Sequence, residues 1–146
     1  MTHRPPIPPR MGSSLENAPA PRVLVIMADH WRRALLRAAL REAGYDALGA
    51  RDFVEALAYP AVAPPRGPVR LIIVDQRILQ VGDDMLVRRL LGRHGDPATL
   101  LLSQATQGRA EGPWQRVVRR PASIGEIVAA ARALLLLLPQ VSRPLG

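Results

Sequence analysis

The stretch Leu71–Gln76, LIIVDQ, decides the fold: four apolar residues in succession and then a carboxylate. A continuous apolar run bounded by turn signals is a strand covered on both faces, because neither side-chain direction meets water. Val23–Met27 and Leu100–Leu102 read the same way. Two weaker runs, Asp46–Ala50 and Gln115–Val118, carry polar residues and suit the edges of a sheet.

Helical patterns lie between these runs. In the first, Leu36, Leu40 and Ala43 share a stripe with Leu35 and Ala39 beside it, while Arg33, Arg37 and Arg41 line the opposite side. Gly44 stops that helix. A second opens at Asp52 with Glu55 three residues on, and the last opens at Ser123 with Glu126 three on. Both spacings let side chains satisfy the orphan amides of a helix start. Another, from Asp83, gathers Leu86, Val87, Leu90 and Leu91 on one face and ends near Gly92 to Pro97.

Alternation of strand and helix at this period forces parallel strands with right-handed crossovers, hence a three-layer α/β, doubly wound, five-stranded sheet. Function in such sheets gathers at the carboxyl ends of the central strands. Asp29 follows the first run, Asp75 ends the third strand, Ser103 ends the fourth, and Arg120 with Pro121 closes the fifth. Asp75 is therefore the first residue to leave the sheet, with its carboxylate free to face a crevice.

The 146 residues suffice for one domain, residues 22–138, and the net charge is +8. All 20 basic residues are Arg. Such a balance favours acidic partners, nucleic acid among them, although arginines spread evenly along a chain also arise from coding habit. Absence of cysteine excludes disulfides and thiolate chemistry and suits a reducing cytoplasm. The longest apolar stretch, Ile127–Leu138, is broken by Arg132 and falls short of the roughly 20 residues of a bilayer span, so no membrane is expected. Prolines at 5, 6, 8, 9, 19 and 21 make residues 1–21 an extended, disordered tail without a signal peptide's apolar centre. Residues 139–146 read as a second tail, and Met11 is an alternative start.

Over residues 22–138 the chain resembles a receiver domain of the bacterial response-regulator family, CheY-like. The segments that carry the likeness are RVLVIMADHWRRALLRAALREAGY, VRLIIVDQRI, ATLLLSQA and VVRRPAS. The resemblance implies a flavodoxin-like strand order, 2-1-3-4-5. It implies that Asp75 accepts a phosphoryl group from a kinase histidine, that Ser103 hydrogen-bonds the phosphoryl oxygen, and that Arg120, in place of a family Lys, pairs with its charge. Guanidinium is bulkier than ammonium and differently shaped, so that exchange is not neutral.

Departures from the family pattern are as informative. Its members hold Mg²⁺ with two adjacent acids after the first strand, a hard cation that demands oxygen ligands. A gapless alignment puts Met27 and Ala28 there, and neither can bind the metal. A shift of one residue makes Asp29 the second acid, so a magnesium site has Asp29 and Asp75 at most, and phosphorylation is expected to be weak or absent. Gln104 stands where a small residue is usual, Val117 where an aromatic is, and Leu79 where a proline is. The short interval from Ser103 to Arg120, punctuated by Gly108, Gly112 and Pro113, leaves the fourth helix short or missing.

Each candidate has a plainer reading. Asp75 suits a loop cap, Asp29 a helix cap, Ser103 a local backbone partner and Arg120 a solvated edge. His30 and His94 read as surface residues, and Trp31 and Trp114 as covers over apolar surface. Leu134–Leu138 wrap a helix all round, which points to a homodimer through the last helix.

Three functions compete: a receiver phosphorylated on Asp75, a phosphorylation-independent pseudo-receiver that recruits a partner, and an enzyme on the same scaffold. MADHW is no phosphate loop and LLSQA no Gly-x-Ser-x-Gly elbow, so enzymatic chemistry is not expected. A receiver module of a two-component phosphorelay, with a sensor histidine kinase or phosphotransfer protein as partner, is the reading adopted. Direct nucleic-acid binding is not expected, since no helix-turn-helix pattern follows.

Overall fold

The computed structural model describes residues 19–63, 65–80, 82–104 and 112–137. Five strands form the parallel sheet: β1 (Arg22–Ile26), β2 (Asp46–Ala50), β4 (Gly67–Asp75), β5 (Ala98–Ser103) and β6 (Arg116–Arg119). Their order is β2-β1-β4-β5-β6, which is the expected 2-1-3-4-5 once a short hairpin strand is set aside. That strand, β3 (Val62–Ala63), pairs antiparallel with Gly67 and Pro68 at the start of β4. Four helices pack on the sheet: α1 (His30–Glu42), α2 (Phe53–Leu57), α3 (Asp84–Arg93) and α4 (Ile124–Leu137). The expected loss of the fourth helix falls on residues 105–111, and the expected tails fall mostly on residues 1–18 and 138–146, outside the described residues.

Alternation within the apolar runs divides the core in two. Val23, Val25, Leu71, Ile73, Leu100 and Leu102 face α1 and α4, and Leu24, Ile26, Ile72, Val74 and Leu101 face α2 and α3. Residues 71 to 74 are at most 1% exposed. Each such side chain contributes roughly 1.5–3 kcal/mol of burial. Both faces of LIIV are thus covered, as a parallel sheet requires.

The helix starts follow the spacings in the sequence. Ser123 Oγ accepts from Glu126 N–H at 3.0 Å while Glu126 accepts from Ser123 N–H at 2.8 Å, a reciprocal capping box. At α2 the box is offset by one residue, since Glu55 accepts from Arg51 N–H rather than from the Asp52 cap. Asp83 makes no cap bond to α3 and instead accepts from Gln80 N–H.

Two expectations, for Trp31 and His94, fail on packing grounds. The arginines opposite the apolar stripe of α1, Arg33, Arg37 and Arg41, also deliver their guanidinium groups to backbone carbonyls. Arg37 Nε and Arg41 donate to Ala47 O at 3.3 and 3.1 Å, and Arg33 donates to Met27 O at 2.6 Å. Gly49 makes room for the stems, since a Cβ there would sit 2.8 Å from Arg37 Cδ. Tyr59 donates its hydroxyl to Gly49 O at 2.6 Å, so two carbonyls of edge strand β2 are capped by side chains. Trp31, expected to cover apolar surface, is 73% exposed at the first turn of α1, its ring in a T-shaped contact with His30 at 5.9 Å between centroids. Trp114 does pack on the second core.

His94, expected at the surface, is 5% exposed, and neither ring nitrogen has a hydrogen-bond partner among the described residues. It follows α3 directly, where the helix end turns the ring inward. Burial and then the Arg93 guanidinium hold its pKa below the ordinary histidine value, opposed by the Ala61 backbone, with the Arg22 guanidinium the weakest of the lowering influences. The folded chain therefore binds fewer protons than the unfolded chain once the pH falls below about 6.5. Stability is full above that pH and declines as the pH drops toward the folded pKa. Urea unfolding at pH 7.5 and 5.5 is expected to show a larger loss for the native protein than for His94→Leu; equal losses would remove His94 as the cause.

Candidate functional site

The carboxyl ends of β4, β5 and β6 form one rim. Asp75 ends β4 in register with Leu102, and Ser103 ends β5 beside Arg119. Arg120 continues the β6 ladder by one bond, its N–H donating to Ser103 O at 2.9 Å, and the Arg120–Pro121 peptide is cis.

Asp75 is 1% exposed. Both carboxylate oxygens are engaged: Oδ1 accepts from Arg77 N–H at 3.0 Å and Oδ2 from an Arg120 terminal nitrogen at 3.0 Å. Arg120 is itself only 20% exposed, and its Nε is buried with no hydrogen-bond partner among the described residues. A contact between such groups is a charge-assisted bond in a region poor in water, where attraction is strong and loss of one partner is costly.

Gln76, which drew no notice in the sequence, is the second organising side chain. Its Oε1 accepts from Ser103 Oγ at 2.9 Å and from Gln104 N–H at 2.7 Å. The sequence signal was only its place directly after Asp75. Asp75, Ser103 and Arg120 are thus brought to one rim, with Gln76 joining β4 to the end of β5.

Asp29 behaves differently. It caps α1, accepting from Arg32 N–H at 3.1 Å and lying 3.7 Å from Arg32 Nε. That backbone donor, with the charges of Arg32 and Arg77, holds its carboxyl below the usual carboxylate range. Among the described residues no hydrogen bond joins it to the Asp75 cluster. Met27 is 2% exposed in the core beside α1, and Ala28 offers no donor. The groups present do not fit Mg²⁺. Asp75 is committed to Arg120, Asp29 to the helix start, and no group of three or more His, Cys, Asp or Glu suited to a metal occurs among the described residues.

Solved structures of signal-receiver domains share this arrangement of strands and helices. The receiver domain of an HD domain-containing protein from Pseudomonas fluorescens Pf-5 superposes with TM-score 0.65 at 22% identity, over 80% of this chain and 95% of that one. That of a signal transduction histidine kinase from Syntrophus aciditrophicus gives 0.67 at 21%, over 87% and 99%. The non-phosphorylated HemR receiver domain of Leptospira biflexa gives 0.63 at 18%, over 86% and 99%. The chain has the receiver fold. No family model and no curated protein matches it.

Within the receiver fold the Asp75 rim lies apart from the groove of about 410 Å³ that Leu79, Val87, Leu91 and Trp114 help to line. Asp75, Ser103 and Arg120 contribute nothing to its walls.

Removing one partner of a buried ion pair costs about 3–5 kcal/mol, because the other charge stays behind. Partial exposure of Arg120 places the expected loss for Arg120→Ala toward the lower end, about 3 kcal/mol. The double variant Asp75→Ala/Arg120→Ala is expected to lose less than the sum of the two single losses in denaturant unfolding. Additive losses would mean that the pair is not coupled.

Proposed function

We propose that this chain is a receiver-type signalling module of a two-component pathway that recruits its partner without phosphorylation. The observation that carries this reading is the state of Asp75: buried, with one oxygen on Arg120 and the other on Arg77 N–H. A phosphoryl donor must reach a free carboxylate oxygen, and charge developing on the transferring group must be neutralised. Here the guanidinium already neutralises the acid itself. The module is a binding protein and not an enzyme. Its partner class is a sensor histidine kinase or phosphotransfer protein, and the seat of action is the cytoplasm. Among the described residues no helix is long and apolar enough to cross a membrane.

A second reading has its own support. Asp75, Ser103 and Arg120 stand together at the ends of β4, β5 and β6, the constellation that the family resemblance assigns to phosphoryl transfer, with Asp75 as acceptor. Incubation with acetyl phosphate and Mg²⁺, followed by intact-mass measurement, separates the two. The expected outcome is no phosphoryl adduct on the native protein. An adduct that disappears in Asp75→Ala would establish the second reading and overturn the first.

A homodimer through α4 belongs to the same proposal. Leu135 is buried in the core, whereas Leu136 and Leu137 are 69% and 70% exposed, so a second copy would cover leucines that the fold leaves in water. Light scattering at high concentration is expected to give twice the monomer mass, and a monomer would remove the dimer.

A further inference from the structure

A single oxygen that draws in both a hydroxyl and a backbone N–H occupies the kind of donor pair that binds an oxyanion. Gln76 Oε1 is in that position, 2.9 Å from Ser103 Oγ and 2.7 Å from Gln104 N. The donors belong to the last residue of β5 and the one after it; the acceptor belongs to the residue that follows Asp75. Ser103 is 1% exposed and Gln76 half-buried, so the hydroxyl contact is partly shielded from water, while the Gln104 N–H bond lies at the exposed end of the strand. We propose that Gln76 is an internal substitute for the phosphoryl oxygen, a positioning residue that holds the end of β5 in its acceptor-bound arrangement with no modification at Asp75.

This inference rests on the phosphorylation-independent reading and deepens it. A hydroxyl awaiting a phosphoryl group would leave the strand end free to occupy two places, one with and one without the ligand. With an amide oxygen tethered one residue from Asp75, the donors are satisfied at all times, and the end of β5 has one place. Gln76 therefore fixes the rim through Ser103 and Gln104, while Arg120 fixes it through Asp75. Two side-chain contacts bind three strand ends, and neither requires a metal or a donor molecule.

Native-state hydrogen exchange of the full chain, read residue by residue by NMR, tests this directly. It needs neither a partner nor a phosphodonor, so its failure is separate from failure of the proposed function. In Gln76→Leu, which keeps the bulk and removes the acceptor, the Gln104 amide is expected to exchange about tenfold faster, the equivalent of one lost hydrogen bond. The Leu100 and Ile73 amides are expected to keep their native rates. Gln76→Glu retains an acceptor oxygen and is expected to restore slow exchange at Gln104. Should Gln76→Leu fail to fold, Gln76→Ala carries the same expectation. An unchanged Gln104 rate in the folded variant overturns the proposal. So does equal acceleration at Leu100 and Ile73, or failure of Gln76→Glu to restore protection.

Discussion

The ion pair between Asp75 and Arg120 joins two strands that do not touch. β5 lies between β4 and β6, so the contact spans a neighbour and holds three strand ends at a common level. It can do so because parallel strands leave the sheet in the same direction, which places the first polar residue of each on one rim. Everything at the site follows from that. An acid so well buried requires a cation, a chain with no Lys has only Arg to supply it, and a planar guanidinium reaches a carboxylate with directed bonds.

A site neutralised from within differs from one that waits for a metal. Where two or three acids converge, repulsion among them is relieved by a divalent cation, and the cation then draws a phosphoryl group. Here one acid faces one guanidinium, and the neighbouring Asp29 is turned to the start of α1. The electrostatic need is met before any ligand arrives. The same holds for the hydrogen-bonding need at the end of β5, which Gln76 meets.

Much of the fold was legible because burial on two faces leaves a period-free apolar signature. LIIV, VLVIM and LLL each marked a strand, and Asp52, Ser123 and Gly44 marked helix boundaries. The hairpin strand Val62–Ala63 was not legible, because two residues set among prolines carry no pattern. The carbonyl partners of Arg33, Arg37 and Arg41 were not legible, because amphipathic reasoning places a charged side without its acceptors, whereas long arginine stems can lie along a strand edge and deliver their heads to carbonyls. His94 was misplaced because one histidine after a polar helix end looks solvated, and only tertiary packing turns it inward. At the site, strand-end position pointed to Asp75, Ser103 and Arg120. Gln76 was invisible, since a glutamine's role depends on which donors the neighbouring strand presents, and strand adjacency lies outside local sequence.

The side chains laid over β2 give the sheet a polarity between its two margins. At that margin, two carbonyls that could have received a strand from another molecule are occupied by Arg37, Arg41 and Tyr59. Lateral growth by chain-to-chain pairing is therefore obstructed on one flank. Any ribbon of stacked molecules would have to grow from the β6 flank, and two molecules joined there would each present an obstructed flank outward, so growth would terminate at a pair.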